Sequence, residues 1–396
     1  MKAIQKSLIF STIGALTSSP AICAQPKNFN DLINSSSLDL NFRLRVESVD
    51  VDNGTTDSAL ANTLKSRVTF KSGELHGLSL LVEGDSLLHL NDEFYDKDGA
   101  NSKNLDIVLD QETTQLNQAY FQYTGLGSII KFGNQRINLD NQRHVGSVSF
   151  RQDEATFDAV SITNTSIDNI VLFLARANNR NTITNDNTKE DINLFNVKYT
   201  VNKNLSTSVY YYGIDDATKE KSGIGLDTLG MRSTGSYSGI LLEAELASQE
   251  KSTDALDTST LYYNLSVGKK IAGITAKLGY EVFGSDDGQA AFTTPLGTNH
   301  KFLGWSDKFL TGAGENGIQD LNISAATKVS GVKLIAQLHK FDASQGNDDL
   351  GSEVGLLAAK AYGEFAASLK VAHYLATKET GDADITKLWL TATARF

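Results

Sequence analysis

Strand-length segments with a two-residue period, connections that alternate between long and short, and an amphipathic last strand ending in phenylalanine together predict an all-β chain. The class they define is a transmembrane antiparallel β-barrel of 18 strands, with long extracellular loops and short periplasmic turns.

The period is plainest at its start. Leu38, Leu40, Phe42, Leu44 and Val46 alternate with Asp39, Asn41, Arg43, Arg45 and Glu47, giving one apolar and one polar face. Leu64 to Lys71 repeats it. Leu78 to Asp85, Leu116 to Tyr123, Ser128 to Gly133, Thr156 to Thr163, Ile170 to Ala177 and Ile192 to Thr200 follow. Leu205 to Tyr212, Thr228 to Thr234, Ile240 to Ala247, Leu261 to Gly268 and Ile274 to Phe283 continue the series. Ile318 to Lys328, Val332 to Phe341, Glu353 to Ala361, Phe365 to Tyr374 and Thr386 to Phe396 complete it.

The connections are segregated by length. Ser72 to Gly77, Thr124 to Gly127, Val201 to Asn204, Ser236 to Ser238, Val329 to Gly331 and Tyr362 to Glu364 are short turns. Between them fall long polar segments, including Ser48 to Ala61, Ser86 to Thr114, Asn134 to Ala155, Ser248 to Thr260 and Gly284 to Gly317. A polar face this wide cannot be a dry core, so the apolar face is the outer one and meets lipid. Backbone groups in lipid need partners, which closes the sheet on itself. At 18 strands the lumen is too wide for wall side chains alone to fill and should hold water.

Lys2 and Lys6, the apolar stretch around Leu8 to Leu16 and the small residues up to Ala24 read as a secretory signal peptide over residues 1–24. It is followed by a periplasmic segment at 25–37 and the barrel at 38–396. Cleavage would remove Cys23, the only cysteine; Ile22 stands where a lipid-attachment signal has a small residue. The net charge of −11 becomes −13 without the two lysines, which argues against nucleic acid as a partner. No stretch after the signal approaches 18 consecutive apolar residues, so spanning helices are excluded. Only Pro295 lies beyond the first 26 residues, a composition that continuous sheet tolerates. The last strand places Leu388, Leu390, Ala392, Ala394 and Phe396 on one face. Ending in Phe396, it resembles the signal read by the barrel-assembly machinery of the bacterial cell outer membrane, where lipid and lipopolysaccharide are the expected surroundings.

The words NFRLRVE at Asn41 to Glu47, NQAYFQY at Asn117 to Tyr123, the arginine-bearing stretch Gly133 to Asp158, GWSDKFL at Gly304 to Leu310 and TKLWL at Thr386 to Leu390 resemble the alginate export family of outer-membrane porins. They span nearly the whole mature chain. The resemblance implies an 18-stranded barrel whose lumenal arginines guide an anionic uronate polymer outward, with Arg43, Arg45, Arg136, Arg143 and Arg151 at matching positions.

Strand parity puts Arg43, Arg45, Lys65, Arg67 and Lys71 on the lumenal face, and closure adds Lys387 and Arg395. Such a basic wall in a water-filled pore concentrates anions, unless Glu83, Asp85, Glu243 and Glu245 neutralise it. In the loop Asn134 to Ala155, Arg136, Arg143 and Arg151 could form a constriction for carboxylates, with Gln135, Gln142 and Gln152 contacting sugar hydroxyls. The alternative is pairing with Asp140, Asp153, Glu154 and Asp158. Trp305, Asp307 and Lys308 would form a second lid or stacking platform, or pack their loop.

No metal, cofactor or energy-coupling motif occurs: the six histidines are scattered, and Asp92 to Ala100 lacks the calcium-loop spacing. His144 near Ser147 and Ser149 raises a barrel hydrolase, but no nucleophile elbow accompanies it. The expected function is therefore a passive, non-enzymatic channel for anionic solutes, saccharide or carboxylate. A loop-blocked barrel acting as adhesin or receptor is the rival, and a hydrolase the third reading.

Overall fold

The alternation that begins at Leu38 is realised as one continuous sheet in a computed structural model describing residues 28–91, 104–216, 225–253, 256–346, 348–377 and 381–396. The strands are β1 (Ser37–Val51), β2 (Ala59–Lys71), β3 (Leu78–His89), β4 (Thr113–Gly125), β5 (Ser128–Gln135) and β6 (Thr156–Asn164). Next come β7 (Ile170–Asn181), β8 (Glu190–Asn202), β9 (Leu205–Asp216), β10 (Gly225–Tyr237), β11 (Ile240–Ser252) and β12 (Asp257–Ile271). The series ends with β13 (Ile274–Phe283), β14 (Ile318–Val329), β15 (Val332–Asp342), β16 (Asp349–Tyr362), β17 (Phe365–Leu375) and β18 (Ile385–Arg395). Each pairs antiparallel with its sequence neighbours, and β18 returns to β1 with Arg45 opposite Thr391. All 18 expected strands are present and the barrel is closed, leaving no sheet edge to satisfy.

The two faces have the inverted burial of a membrane barrel. Outward-facing Leu44, Phe121, Phe132 and Leu265 are exposed, whereas inward-facing Arg45, Glu83 and Glu245 are each 3% exposed. An apolar girdle around the outside is stable only in lipid. No helix among the described residues is long and apolar enough to cross a membrane.

One rim is built of tight turns. Leu126-Gly127, Ser238-Gly239, Ala272-Gly273 and Ser330-Gly331 each take positive φ at both positions. This is the two-residue hairpin turn whose twist matches the flanking strands, and it favours glycine in second place. Against this rim, Asn28 caps the short helix α1 (Phe29–Asn34), and Gly73 N donates to Leu32 O at 3.3 Å. The signal-peptide reading of residues 1–24 lies outside the described residues.

The opposite rim departs from expectation in two ways. Some long polar segments are partly strand: Ser248 to Thr260 reduces to a connection between Ser252 and Asp257. Above the lipid both faces of a strand are polar, so the hydrophobic period stops before the hydrogen-bonded ladder does. The upper lumen is also not simply water-filled. Ile137, Leu139 and Val145 from one loop and Leu296, Leu303 and Phe309 from another form a buried apolar cluster with lumen-facing Tyr210, Tyr212, Tyr262, Phe283, Phe341 and Tyr374. Two long loops have folded inward and supplied the volume that wall side chains could not.

Candidate permeation site: the lumen and its inward loops

The inward loops are held by charge. Arg43, projecting from β1, donates Nε to Gln152 Oε1 at 2.6 Å and Nη1 to Ser149 O at 3.0 Å, and its Nη2 reaches Arg151 O. Arg67 makes a bidentate pair with Asp85, both contacts at 2.6 Å, and also meets Glu154 at 3.2 Å. Lys65 lies 2.9 Å from Asp85. Arg45 is 3.8 Å from Asp110 and stands 4.5 Å over the Phe150 ring.

The three loop arginines diverge to different parts of the wall. Arg136 pairs with Glu83 of β3 and with Glu154 beside it in the loop. Arg143 is fully buried, with Nε 2.7 Å from Glu281 of β13 and its guanidinium 4.5 Å and 4.6 Å from the Phe283 and Phe302 rings. Arg151 grips both oxygens of Glu47 of β1 and meets Asp307 at 3.3 Å. They form three spokes from loop to wall, and none of the three lacks a carboxylate partner.

The glutamines share this anchoring. Gln135 Nε2 donates to Ala159 O at 3.0 Å, Gln142 Oε1 accepts from Thr298 Oγ1 at 3.0 Å, and Gln152 Nε2 donates to Thr63 Oγ1 at 2.8 Å. In the longer loop, Trp305 N donates to Glu353, and Lys308 pairs with Asp382 at 2.6 Å. Asp307 accepts from Lys387 at 3.3 Å, while Arg395 has no ion pair among the described residues. His144 Nε2 faces Glu245 at 3.0 Å and the Tyr210 hydroxyl at 2.9 Å, and among the described residues no serine hydroxyl is its partner. No group of three or more potential ligands could hold a metal ion among the described residues.

Buried charge shifts the loop groups in opposite directions. Burial pushes the His300 imidazole down to about 3, despite the neighbouring Asp307. The neutral ring can then donate from Nδ1 to Asp307, 2.5 Å away, and accept at Nε2 from Lys370 at 2.7 Å. Burial raises Glu154, but Arg136, Lys65 and Arg67 outweigh it and hold the carboxyl far below its usual range.

Asp153 goes the other way, pushed up to about 7 by burial. A raised folded pKa means that protonation stabilises the inward loop. That contribution is complete below the ordinary carboxylate pKa of about 4 and is lost as pH rises through 7. Hydrogen-exchange protection over residues 136–155, corrected for intrinsic rates, should therefore fall between these pH values. The Asp153→Asn variant should hold it level; equal slopes in both proteins would remove Asp153 as the cause.

Among the described residues, two regions of the lumen offer cations to a solute. Near the extracellular rim a cavity of about 340 Å³ lies between the inward loops and the wall. Its lining includes apolar Ile107, Leu109, Val148 and Leu310 beside Arg151, Arg180 and Lys387. The other region is the periplasmic half. By strand parity Lys71, Lys131, Lys198 and Lys277 face the lumen within five residues of the short-turn ends of their strands. None of them has an ion-pair partner among the described residues. Lys131 stands 4.6 Å over Tyr120, and Lys198 and Lys277 share a lumenal recess with Arg232, Glu243 and, from the inward loop, Asp140 and Asn141. Sequence parity had singled out Lys71 but missed the other three, although the same alternation and their distance from the short turns identify them.

A closed barrel with a lipid-facing girdle, charged inner walls and loops folded into its mouth is a bacterial outer-membrane channel. The chain belongs to the alginate export family, whose model matches residues 36–364. Solved structures with the same fold include Pseudomonas aeruginosa OccK9 (OpdG), with a TM-score of 0.71 and 14% identity over 92% of this chain and 100% of that one. P. aeruginosa OpdK, solved with vanillate, has a TM-score of 0.70 and 12% identity over 92% of this chain and 99% of that one. Acinetobacter baumannii OccAB4 has a TM-score of 0.68 and 11% identity, covering 91% of this chain and 98% of that one. No curated protein matches the sequence.

Proposed function

We propose that this barrel is a passive, non-enzymatic channel preferring anionic saccharides, uronate-type chains in particular. The observation carrying this reading is the separation of lumenal charge. In the upper lumen the arginines and carboxylates neutralise one another, while Lys71, Lys131, Lys198 and Lys277 keep their charge available in the periplasmic half. A positive vestibule with low-dielectric walls raises the local concentration of anions. Membership of the alginate export family supports uronates as the anion.

In this reading residues 1–24 are removed as a signal peptide, 25–37 remain in the periplasm, and the strand ending in Phe396 is handed to the barrel-assembly machinery. Phe396 N donates to Leu40 O and accepts at its own carbonyl from Leu40 N, which ties the end of the chain to β1.

The cavity between the loops favours a second solute, a small aromatic carboxylate. Its apolar lining suits a ring, a carboxylate would compete with Asp307 for Arg151 and Lys387, and OpdK was solved with vanillate.

A planar bilayer separates these readings. A salt gradient across the wild-type barrel should give an anion-selective reversal potential. Periplasmic addition of short oligouronates should interrupt the current, where neutral glucose oligomers of equal length do not. Block by vanillate alone would favour the second solute. Absence of any conductance would favour the rival reading, a loop-blocked receptor.

A further inference from the structure

Arg176 is a cation on the lipid-facing side of the barrel. Its neighbours Ala175 and Ala177 are buried toward the lumen, whereas the Arg176 side chain is 67% exposed and, among the described residues, reaches only Asp191, at 3.4 Å. The outward-facing lysines Lys269, Lys340 and Lys360 lie third from a strand end, where water is close; Arg176 is the seventh of the twelve residues of β7. An arginine facing hydrocarbon is unfavourable, so its depth matters.

The register fixes that depth. Arg176 is opposite Val160 on one side, and Val160 is opposite the exposed Phe132. On its other side Arg176 is opposite Asn193, which leads to Gly213 and then Asp227. Because strands tilt across the membrane, this row passes from apolar to polar at Arg176, so the guanidinium sits at the boundary between acyl chains and headgroups. One step toward the periplasm the row reads Ile162, Leu174, Phe195 and Tyr211, all apolar or aromatic. Between the two rows lies an external groove of about 360 Å³, bounded by Val160, Ile162, Leu174, Phe195 and Tyr211 below Arg176 and Asn193. Over Gly213 the Tyr211 hydroxyl donates to Asp227 Oδ1 at 2.5 Å, which closes that end of the groove.

We propose that this patch holds a phosphorylated glycolipid of the outer leaflet, with a phosphate on Arg176 and Asn193 and an acyl chain lying in the groove. Arginine pairs with phosphate bidentately, and the apolar floor of the groove begins directly beneath that pair. The site is on the outer wall and does not depend on what the lumen carries.

Native mass spectrometry of the delipidated barrel in detergent tests it, with bisphosphorylated lipid A as the probe. Wild type should retain one lipid. Arg176→Gln, an exposed position whose change leaves the ladder intact, should weaken retention roughly tenfold, the worth of one charge-assisted hydrogen bond. Dephosphorylated lipid A should bind wild type no better than lipid A binds the variant, and Lys269→Gln should behave as wild type. Equal retention by wild type and Arg176→Gln, or no preference for the phosphorylated probe, would overturn the assignment. So would a lipid-independent dimer that Arg176→Gln dissolves, since the patch would then belong to a second copy of the chain.

Discussion

Arg143→Ala should open the channel: single-channel current becomes larger and noisier, and the loop between β5 and β6 loses protection while the barrel persists. Arg143 is fully buried, and its strongest partner is Glu281 of β13, 2.7 Å away and itself buried. Truncation leaves Glu281 with the Tyr262 hydroxyl, 2.8 Å away, as its remaining donor among the described residues. Breaking such a pair costs about 3–5 kcal/mol, most of it the uncompensated buried charge.

The loss falls on two loops at once. The Arg143 guanidinium stacks on Phe302 and bonds Asn299 Oδ1 at 3.3 Å, both in the 284–317 loop, so it ties that loop to the 136–155 loop as well as to the wall. The wall itself rests on 18 antiparallel pairings and should not unfold. A double variant, Arg143→Met with Glu281→Leu, removes the stranded charge and should recover much of the closed behaviour, because an apolar replacement of a buried pair is often neutral. If Arg143→Ala shows wild-type conductance and unchanged loop protection, the arginine spokes do not hold the loops.

The barrel was legible in the sequence because lipid on one side and water on the other impose a two-residue period that no loop disguises. Leu38 to Glu47 alone carries it, and every strand began or ended near a break in that pattern. What was not legible is how the lumen is used. Alternation says that Arg43 and Arg67 point inward, but not that Gln152 and Asp85 are waiting for them. The partners of Arg136, Arg143 and Arg151 come from β3, β13 and β1, remote in sequence and brought close only by closure. Loop residues have no period from which a direction can be read. That is why three arginines in one stretch look like a constriction in the sequence and are spread as spokes in the fold.

Charge reversal of the periplasmic lysines should have the largest effect on selectivity. With Lys71, Lys131, Lys198 and Lys277 all changed to Glu, the reversal potential under a salt gradient should change sign, from anion-selective to cation-selective. These side chains are near the short-turn ends, but Lys198 and Lys277 share a recess with Asp140 and Asn141 of the inward loop, so the charge reversal should also lower protection around those two residues. The effect has a built-in control in ionic strength. At 0.1 M salt the screening length is about 10 Å and the lysine charges act across much of the lumen; at 1 M it is about 3 Å, and wild type and variant should converge. The arginines cannot substitute for the lysines here. Arg67 and Arg151 are held between carboxylates, and a paired charge projects little field into the lumen. A quadruple variant that stays anion-selective at low salt would move the source of selectivity to the cavity between the loops, where Arg151, Arg180 and Lys387 would have to supply it despite their partners.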